Sequence, residues 1–279
     1  MLCKRPFRQG LAEYGCGQCI PCRLNRRRTW TARLLLEQRS HSVSSFVTLT
    51  YSDEFLPFGG TLSPRDLQLF LKRLRKRLAP EKVRYFACGE YGDVTNRPHY
   101  HLALFGCADA VVIGDAWECG GVHVGELNEQ SAAYVVSYTV KRMTAKEDER
   151  LGGRHPEFAR MSLRPGIGAH AVPSLCDSLV TESGSVGLLA LGDVPTVLKE
   201  GGKNYPIGRY LRRKSREELD ISKDCGAVAA LERERLEKDE IERVGVSEYL
   251  RRKEEKRLQV NRRAERLAQI NRSKKGVGL

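Results

Sequence analysis

The stretch RPHYHLALFG (residues 97–106) restricts the fold more than any other part of this chain. Leu102 to Phe105 form an apolar run suited to a strand inside a core, and His99 and His101 stand two residues apart just ahead of it. Residues i and i+2 of a strand share a face, so both imidazoles aim at one point, as two metal ligands or two walls of a polar site would. Upstream, VRYFACGE (83–90) reads as a second strand, joined to the first through YGDVTNR. Antiparallel pairing through that loop sets Glu90 opposite His99 and Cys88 opposite His101; a slip of one residue would turn Glu90 to the other face. One carboxylate and two imidazoles bind a divalent cation and leave coordination positions for substrate oxygens. Cys88 competes as a ligand in the same register, and two half-exposed structural histidines at a strand end are the plainer alternative.

Around this hairpin the elements are readable. SSFVTLTYSD (44–53) alternates and is rich in β-branched residues, as a strand is. SPRDLQLFLKRLRKRL is a helix: Ser63 is the N-cap, Pro64 takes the first helical position, and Asp66 completes an S-x-x-D capping box. Its buried stripe is Leu67, Phe70, Leu71, Leu74 and Leu78, while Lys72, Arg73, Arg75, Lys76 and Arg77 form an outer face that binds phosphates or is merely solvated. RLNRRRTWTARLLLEQRS predicts a basic helix with Trp30 and Leu34 on one face and Arg26, Arg27 and Arg28 as nucleic-acid contacts. CGGVHVGEL holds a short strand, residues 152–168 are loop-like, and 171–202 carry the weakest pattern.

The formal charge of +13 favours a polyanionic partner, nucleic acid before membrane. From Lys203 onward there are 22 Lys+Arg against 14 Asp+Glu, so 22 − 14 = +8 of that surplus lies in a thinly apolar tail, which reads as long, solvated helix interrupted at Gly245. No apolar run reaches about 18 residues and MLCKRPFRQG has no secretory core, which predicts a cytosolic protein without membrane contact. The nine cysteines are then thiols or metal ligands rather than disulfides. Cys16, Cys19 and Cys22, spaced C-x-x-C-x-x-C, could join Cys3 in supplying four thiolates to a structural Zn²⁺; free thiols near a basic helix are the alternative. There is no internal repeat and no phosphate loop, so ATP hydrolysis is not supported. His41, His123, His155 and His170 read as structural or surface residues.

YVVSYTVK (134–141) supplies a second half to the chemistry. On a helix, Tyr134 and Tyr138 stack at i, i+4 and Lys141 continues the stripe; on a strand, Lys141 points away. Such tyrosine pairs commonly pack a core. Beside a metal they have another use, because a phenol is a weak nucleophile at its free pKa of about 10 that an ammonium such as Lys141 helps to ionise. Attack on a metal-polarised phosphodiester yields a 5′-phosphotyrosine and a free 3′-hydroxyl, and the bond energy kept in that link permits rejoining without ATP.

In order, FVTLTY, GEYG…RPHYH and YVVSYTVK resemble the three motifs of the HUH (His-hydrophobic-His) endonucleases. CGQCIPCR, TLTY, LFLKRLRKRL, RYFACGEYGDVTNRPHYHLALFG, PEFARMSLRPGIG and YPIGRYL are similar to the replication initiators of gokushovirus-type Microviridae, from Cys16 to about Leu211. The resemblance implies His99, His101 and Glu90 as ligands of Mg²⁺ or Mn²⁺, Tyr134 and Tyr138 as paired nucleophiles, and Lys141 as their companion. It also implies a ferredoxin-like arrangement, an α/β (α+β) fold whose antiparallel sheet carries helices on one face. Four regions follow: a Cys-cluster and basic helix (1–40), the endonuclease core (41–170), the rest of the core (171–211) and a charged helical tail (212–279). The function implied is origin-specific nicking and rejoining of single-stranded phage DNA in the host cytoplasm, with recruitment of host replication machinery. A non-catalytic, zinc-stabilised DNA-binding regulator and a plasmid initiator, relaxase or transposase of the same chemistry are the rivals.

Overall fold

Hydrophobic patterning on both sides of the central strands organises the molecule. The computed structural model describes residues 3–9, 12–92, 94–138, 148–200, 202–222 and 225–273. The chain divides into two units, Trp30–Val172 and a second built from Met1–Thr29 with Pro173–Leu279. Strands β1 (Phe7–Gln9) and β2 (Ala12–Tyr14) pair antiparallel ahead of helix α1 (Ile20–Arg39), within which the division falls.

The unit Trp30–Val172 contains β3 (Ser44–Thr50), α2 (Pro64–Leu78), β4 (Arg84–Tyr91), β5 (Pro98–Phe105), α3 (Ala110–Trp117), β6 (Val122–Glu126), α4 (Glu129–Tyr138) and β7 (Phe158–Met161). Its five strands form one antiparallel sheet in the order β6-β3-β5-β4-β7, which puts the histidine strand β5 at the centre. The hairpin register is the expected one, Glu90 opposite His99 and Cys88 opposite His101. The α/β fold with an antiparallel sheet and packed helices is therefore present.

Helices cover both faces of this sheet, not one. On one face Val47, Leu49, Tyr100, Leu102 and Leu104 pack with Leu67, Phe70, Leu71 and Leu74 of α2 and with Ile113, Ala116 and Trp117 of α3. On the other, Phe86, Ala103 and Phe105 pack with Leu34 of α1 and with Ala132, Val135 and Val136 of α4. The cause is written in Leu102 to Phe105: an unbroken apolar run has no polar parity, so both faces need a roof. Each large side chain buried this way is worth about 1.5–3 kcal/mol.

Local signals place α2 firmly. Ser63 Oγ accepts from Asp66 N at 3.2 Å, with Pro64 at the first position. The second half of the expected capping box is replaced: Asp66 Oδ2 accepts the Tyr51 hydroxyl at 2.7 Å, and Ser63 N donates to Tyr100 Oη at 3.0 Å. This ties the start of α2 to the far side of β5. Gly120 is needed where the α3–β6 turn meets β3: at φ +148° it lies so close that a Cβ would stand 2.4 Å from Ser52 N.

In the other unit, α5 (Val172–Leu179), α6 (Glu182–Leu191), the hairpin β8 (Val197–Glu200) and β9 (Lys203–Pro206), and α7 (Gly208–Glu218) precede the tail. Asp193, almost fully buried, holds Arg212 and Arg216 of α7. The tail is helical as expected, α8 (Cys225–Val244) and α9 (Val246–Ser273) meeting at Gly245 with φ +81°. The two helices also touch, Tyr249 Oη and Lys253 Nζ reaching Glu237 at 2.6 and 2.8 Å. Among the described residues, no helix is long and apolar enough to cross a membrane.

Candidate metal centre and tyrosine pair

Strand parity brings Glu90 of β4 and His99 and His101 of β5 to one point on the α1/α4 face. Glu90 Oε1 lies 2.8 Å from His99 Nε2 and 3.1 Å from His101 Nε2. The carboxylate is 3% exposed, a setting that demands compensation for its charge. His99 Nδ1 stands 3.1 Å from the Arg97 carbonyl oxygen, which can only accept, so Nδ1 carries the proton and Nε2 of the neutral ring presents a lone pair. That lone pair faces a carboxylate oxygen. Two acceptors in contact are completed by a cation, and a backbone carbonyl fixing the distal ring nitrogen is the usual support of a metal-ligating histidine. The donor set fits a divalent ion.

Two contacts at this point were not singled out in the sequence. Thr48 Oγ1 of β3 lies 2.9 Å from His101 Nδ1. Phe46 stacks on the His101 ring, 5.7 Å between centroids and 14° between planes. Their signal is the alternation of FVTLTY, which puts Phe46 and Thr48 on one face. Cys88 is not turned to the carboxylate; its thiol donates to the carbonyls of His101 and Val135 at 3.5 and 3.4 Å.

The segment 134–138 is helical, which places both tyrosines over the ligands. Tyr138 lies parallel to the His101 ring at 4.9 Å and 11°, and Tyr134 meets it edge-on at 5.1 Å. The two phenols are 4.9 Å apart by centroid, near perpendicular. They differ in access: Tyr138 is 5% exposed and Tyr134 40%. Burial, then the Glu90 charge and hydrogen bonding with Tyr134 and Glu90, push the Tyr138 phenol well above its ordinary pKa. Lys141 lies outside the described residues.

The basic candidates on α2 divide. Arg73 donates to the carbonyls of Ala116 and Trp117 at 2.7 and 2.9 Å, and Arg77 to that of Asp115 at 3.2 Å, so both fasten α3. Lys72, Arg75 and Lys76 are exposed. All five ride a helix on the face away from the imidazoles. In the other unit Arg26 and Arg28 are exposed, Arg28 donating to the Asn204 carbonyl, while burial lowers the Arg27 guanidinium.

Cys3, Cys16, Cys19 and Cys22 also converge, their sulfurs all within 4.8 Å of one another. Backbone N–H groups point at the sulfurs: Arg5 and Cys16 at Cys3 (both 3.2 Å), Cys19 at Cys16 (3.4 Å) and Lys4 at Cys19 (3.5 Å). The N–H groups of Cys19 and Gln18 are the main reason the Cys16 thiol falls to about 6, whereas burial pushes Cys22 up to about 12.

Residues 44–143 match a family model of phage replication-associated proteins of the ORF2 type. That segment holds the carboxylate, both histidines and both tyrosines. The chain is 33% identical over 160 residues to replication-associated protein VP4 of Bdellovibrio phage phiMH2K, covering 49% of this chain and 50% of that protein. It is 34% identical over 178 residues to replication-associated protein ORF2 of Spiroplasma virus 4, 55% of each. To replication-associated protein ORF4 of Chlamydia phage 1 it is 26% identical over 152 residues, 46% of this chain and 38% of that one. The matches thus span about half the length of the first two relatives. No solved structure matches the chain. The likeness to phage replication-associated proteins expected from the motifs is borne out.

Proposed function

We propose that this protein initiates phage DNA replication in the host cytoplasm by nicking a single strand at the origin, holding the 5′ end on a tyrosine, and later rejoining strands. The observation that carries this reading is the convergence of a buried carboxylate and two imidazoles beneath two tyrosines of one helix. The match to replication-associated proteins and the net charge of +13 support it.

Glu90, His99 and His101 would hold Mg²⁺ or Mn²⁺. Such an ion, when bound, polarises the phosphodiester and neutralises charge on its non-bridging oxygens. The chain's own residues do the rest. Glu90 keeps both Nε2 atoms turned to one point, and the Arg97 carbonyl and Thr48 hydroxyl fix the rings from behind. Tyr134 or Tyr138 attacks phosphorus through its phenolic oxygen as the P–O3′ bond breaks; the phenolic proton passes to water and the departing 3′-oxygen takes one up. A second tyrosine within 4.9 Å lets another attack follow while the first is still loaded. No nucleotide cofactor is consumed, since the ester exchange is near balance.

Zn²⁺ in the four-thiolate cluster completes the reading as a structural ion: four sulfurs with no open position are a closed site, without a place for substrate. The Arg and Lys residues on α1, α7 and the tail supply phosphate contacts, and host replication proteins would use the released 3′-hydroxyl.

The test incubates the full chain with a single-stranded origin oligonucleotide labelled 3′ of the nick, with Mn²⁺ and with chelator. A denaturation-resistant protein–DNA adduct should form only with metal. The Tyr134→Phe, Tyr138→Phe double variant should form none. An adduct from the double variant, or a mobility shift without any adduct in the native protein, would overturn the reading.

A further inference from the structure

On the imidazole face the roof is incomplete. Helices α1 and α4 close over β4 and β5, but the alternate residues of β3 on this side, Phe46 and Thr48, are only half-buried and Thr50 is exposed. Their neighbours Val47 and Leu49, on the opposite face, are fully buried. The edge strand β6 repeats this contrast. His123 lies opposite Thr48 and is exposed, and Gly125 lies opposite Phe46. The strip beside His99 and His101 thus consists of two threonines, an imidazole and a glycine. Elsewhere the same face is filled by Phe86, Ala103 and Phe105.

Polarity changes within β3, from Phe46 to Thr48 to Thr50, at the rows where it pairs with the ligand strand: Thr48 opposite His101, Thr50 opposite His99. Hydroxyls on an open sheet face have no packing purpose. Tyr134 stands at the edge of this opening, its ring meeting Phe46 at 5.9 Å and 76°. Tyr138 lies deeper. Thr48 connects strip and ligands chemically. With His101 Nε2 turned to Glu90, the ring's Nδ1–H donates to Thr48 Oγ1, and the threonine keeps its own proton to donate outward.

We propose that the β3–β6 strip seats the sugar–phosphate backbone of the single strand entering the site, with Thr48 and His123 donating to its phosphates and Tyr134 as the tyrosine this strand meets first. The inference rests on the nicking reading and deepens it. An unpaired strand is the occupant that fits: the strip offers donors without carboxylates, lies flush with the ligands, and leads to the more exposed phenol. Thr48 acts doubly, as a phosphate contact and as the positioning residue of His101.

Gly125 gives a clean block. A Cβ there would meet nothing closer than His123 Nε2 at 3.6 Å, and its backbone is outside the left-handed region, so the fold admits a side chain that projects onto the strip. In the full chain, Gly125→Leu should weaken binding of a single-stranded origin oligonucleotide about tenfold or more while Mn²⁺ affinity, read by calorimetry, stays at the native value. His123→Gln should weaken oligonucleotide binding less, again without a change in Mn²⁺ affinity. Thr48→Val should lower Mn²⁺ affinity about tenfold or more, with Thr48→Ser restoring it. In single-turnover assays Tyr134→Phe should lose the first adduct that Tyr138→Phe still forms. Native oligonucleotide affinity in both Gly125→Leu and His123→Gln would overturn the strip. Failure of the native protein to bind Mn²⁺ would instead count against the nicking reading, which separates the two.

Discussion

The two clusters of ligand-type side chains are built by opposite means. Glu90, His99 and His101 stand on adjacent strands whose backbone ladder fixes their spacing whether or not an ion is present. Cys3, Cys16, Cys19 and Cys22 come from short segments before and at the first turn of α1, where little but N–H···S contacts and the sulfurs themselves defines the geometry. The first set is oxygen and nitrogen, with space beside it for a substrate. The second is all sulfur, as suits zinc. A preformed, open site suits chemistry; a site assembled from loops makes metal binding part of folding. Removing ligands should therefore abolish activity in one case and stability in the other.

The largest effect is expected at the strand site. His99→Ala or His101→Ala should cut the rate of adduct formation by on the order of 10³-fold, the scale of removing a preorganised electrostatic stabiliser. Affinity for single-stranded DNA should remain, because it comes chiefly from Lys and Arg on phosphates. Single-turnover adduct assays beside anisotropy titrations measure both. An alanine variant that forms adduct at the native rate would place the reactive metal elsewhere.

At the thiolate site Cys19→Ser should lower stability, by an amount on the order of several kcal/mol in zinc-replete buffer. The loss should fall in the unit containing Met1–Thr29, seen as faster amide exchange there, with protection of β3, β4 and β5 unchanged. Zinc content measured on the purified protein should drop from one ion per chain. A Cys19→Ser protein with native exchange and native zinc would make the four sulfurs ordinary thiols.

Reagents should separate the clusters more gently. EDTA followed by Mg²⁺ should remove and restore nicking within one experiment, with little change in melting temperature. A thiol-directed mercurial should be required to release zinc. If EDTA alone melts the protein, the contrast between a preformed and a folding-linked site fails.

How far the sequence foretold this contrast differs between the clusters. The strand site was legible because period-2 geometry is rigid: the loop YGDVTNR fixes the register, and register places Glu90 against His99. Helix α2 was legible through its N-cap and apolar stripe. Convergence of Cys3 with Cys16 was not, since it depends on the β1–β2 turn of short strands with no alternation long enough to read. Helix α3, AVVIGDAW, mixes β-branched residues with Gly114, and only Asp109 capping Val111 and Val112 at 2.9 and 3.1 Å marks its start. Strand β7 is four residues at a sheet edge inside what reads as loop. The second roof over the sheet was signalled by Leu102 to Phe105, yet which helices form it depends on long-range packing that no local pattern encodes.

The smallest effects concern the surface cations, and they test which cluster's surroundings DNA touches. Lys72 and Lys76 point outward from a helix that packs on the sheet face away from Glu90. Arg26 and Arg28 are exposed on α1 shortly after Cys22. If the strand lies along the imidazole face, Lys72→Ala with Lys76→Ala should leave the salt dependence of oligonucleotide binding nearly unchanged. Each lost contact to single-stranded phosphate should flatten the slope of log K against log[salt] by about 0.7. Arg26→Ala with Arg28→Ala should flatten it by one to two such steps, because among the described residues no carboxylate is paired with either guanidinium. The opposite ranking, with the α2 pair carrying the salt dependence, would move the DNA to the far face of the sheet and detach its path from the metal ligands.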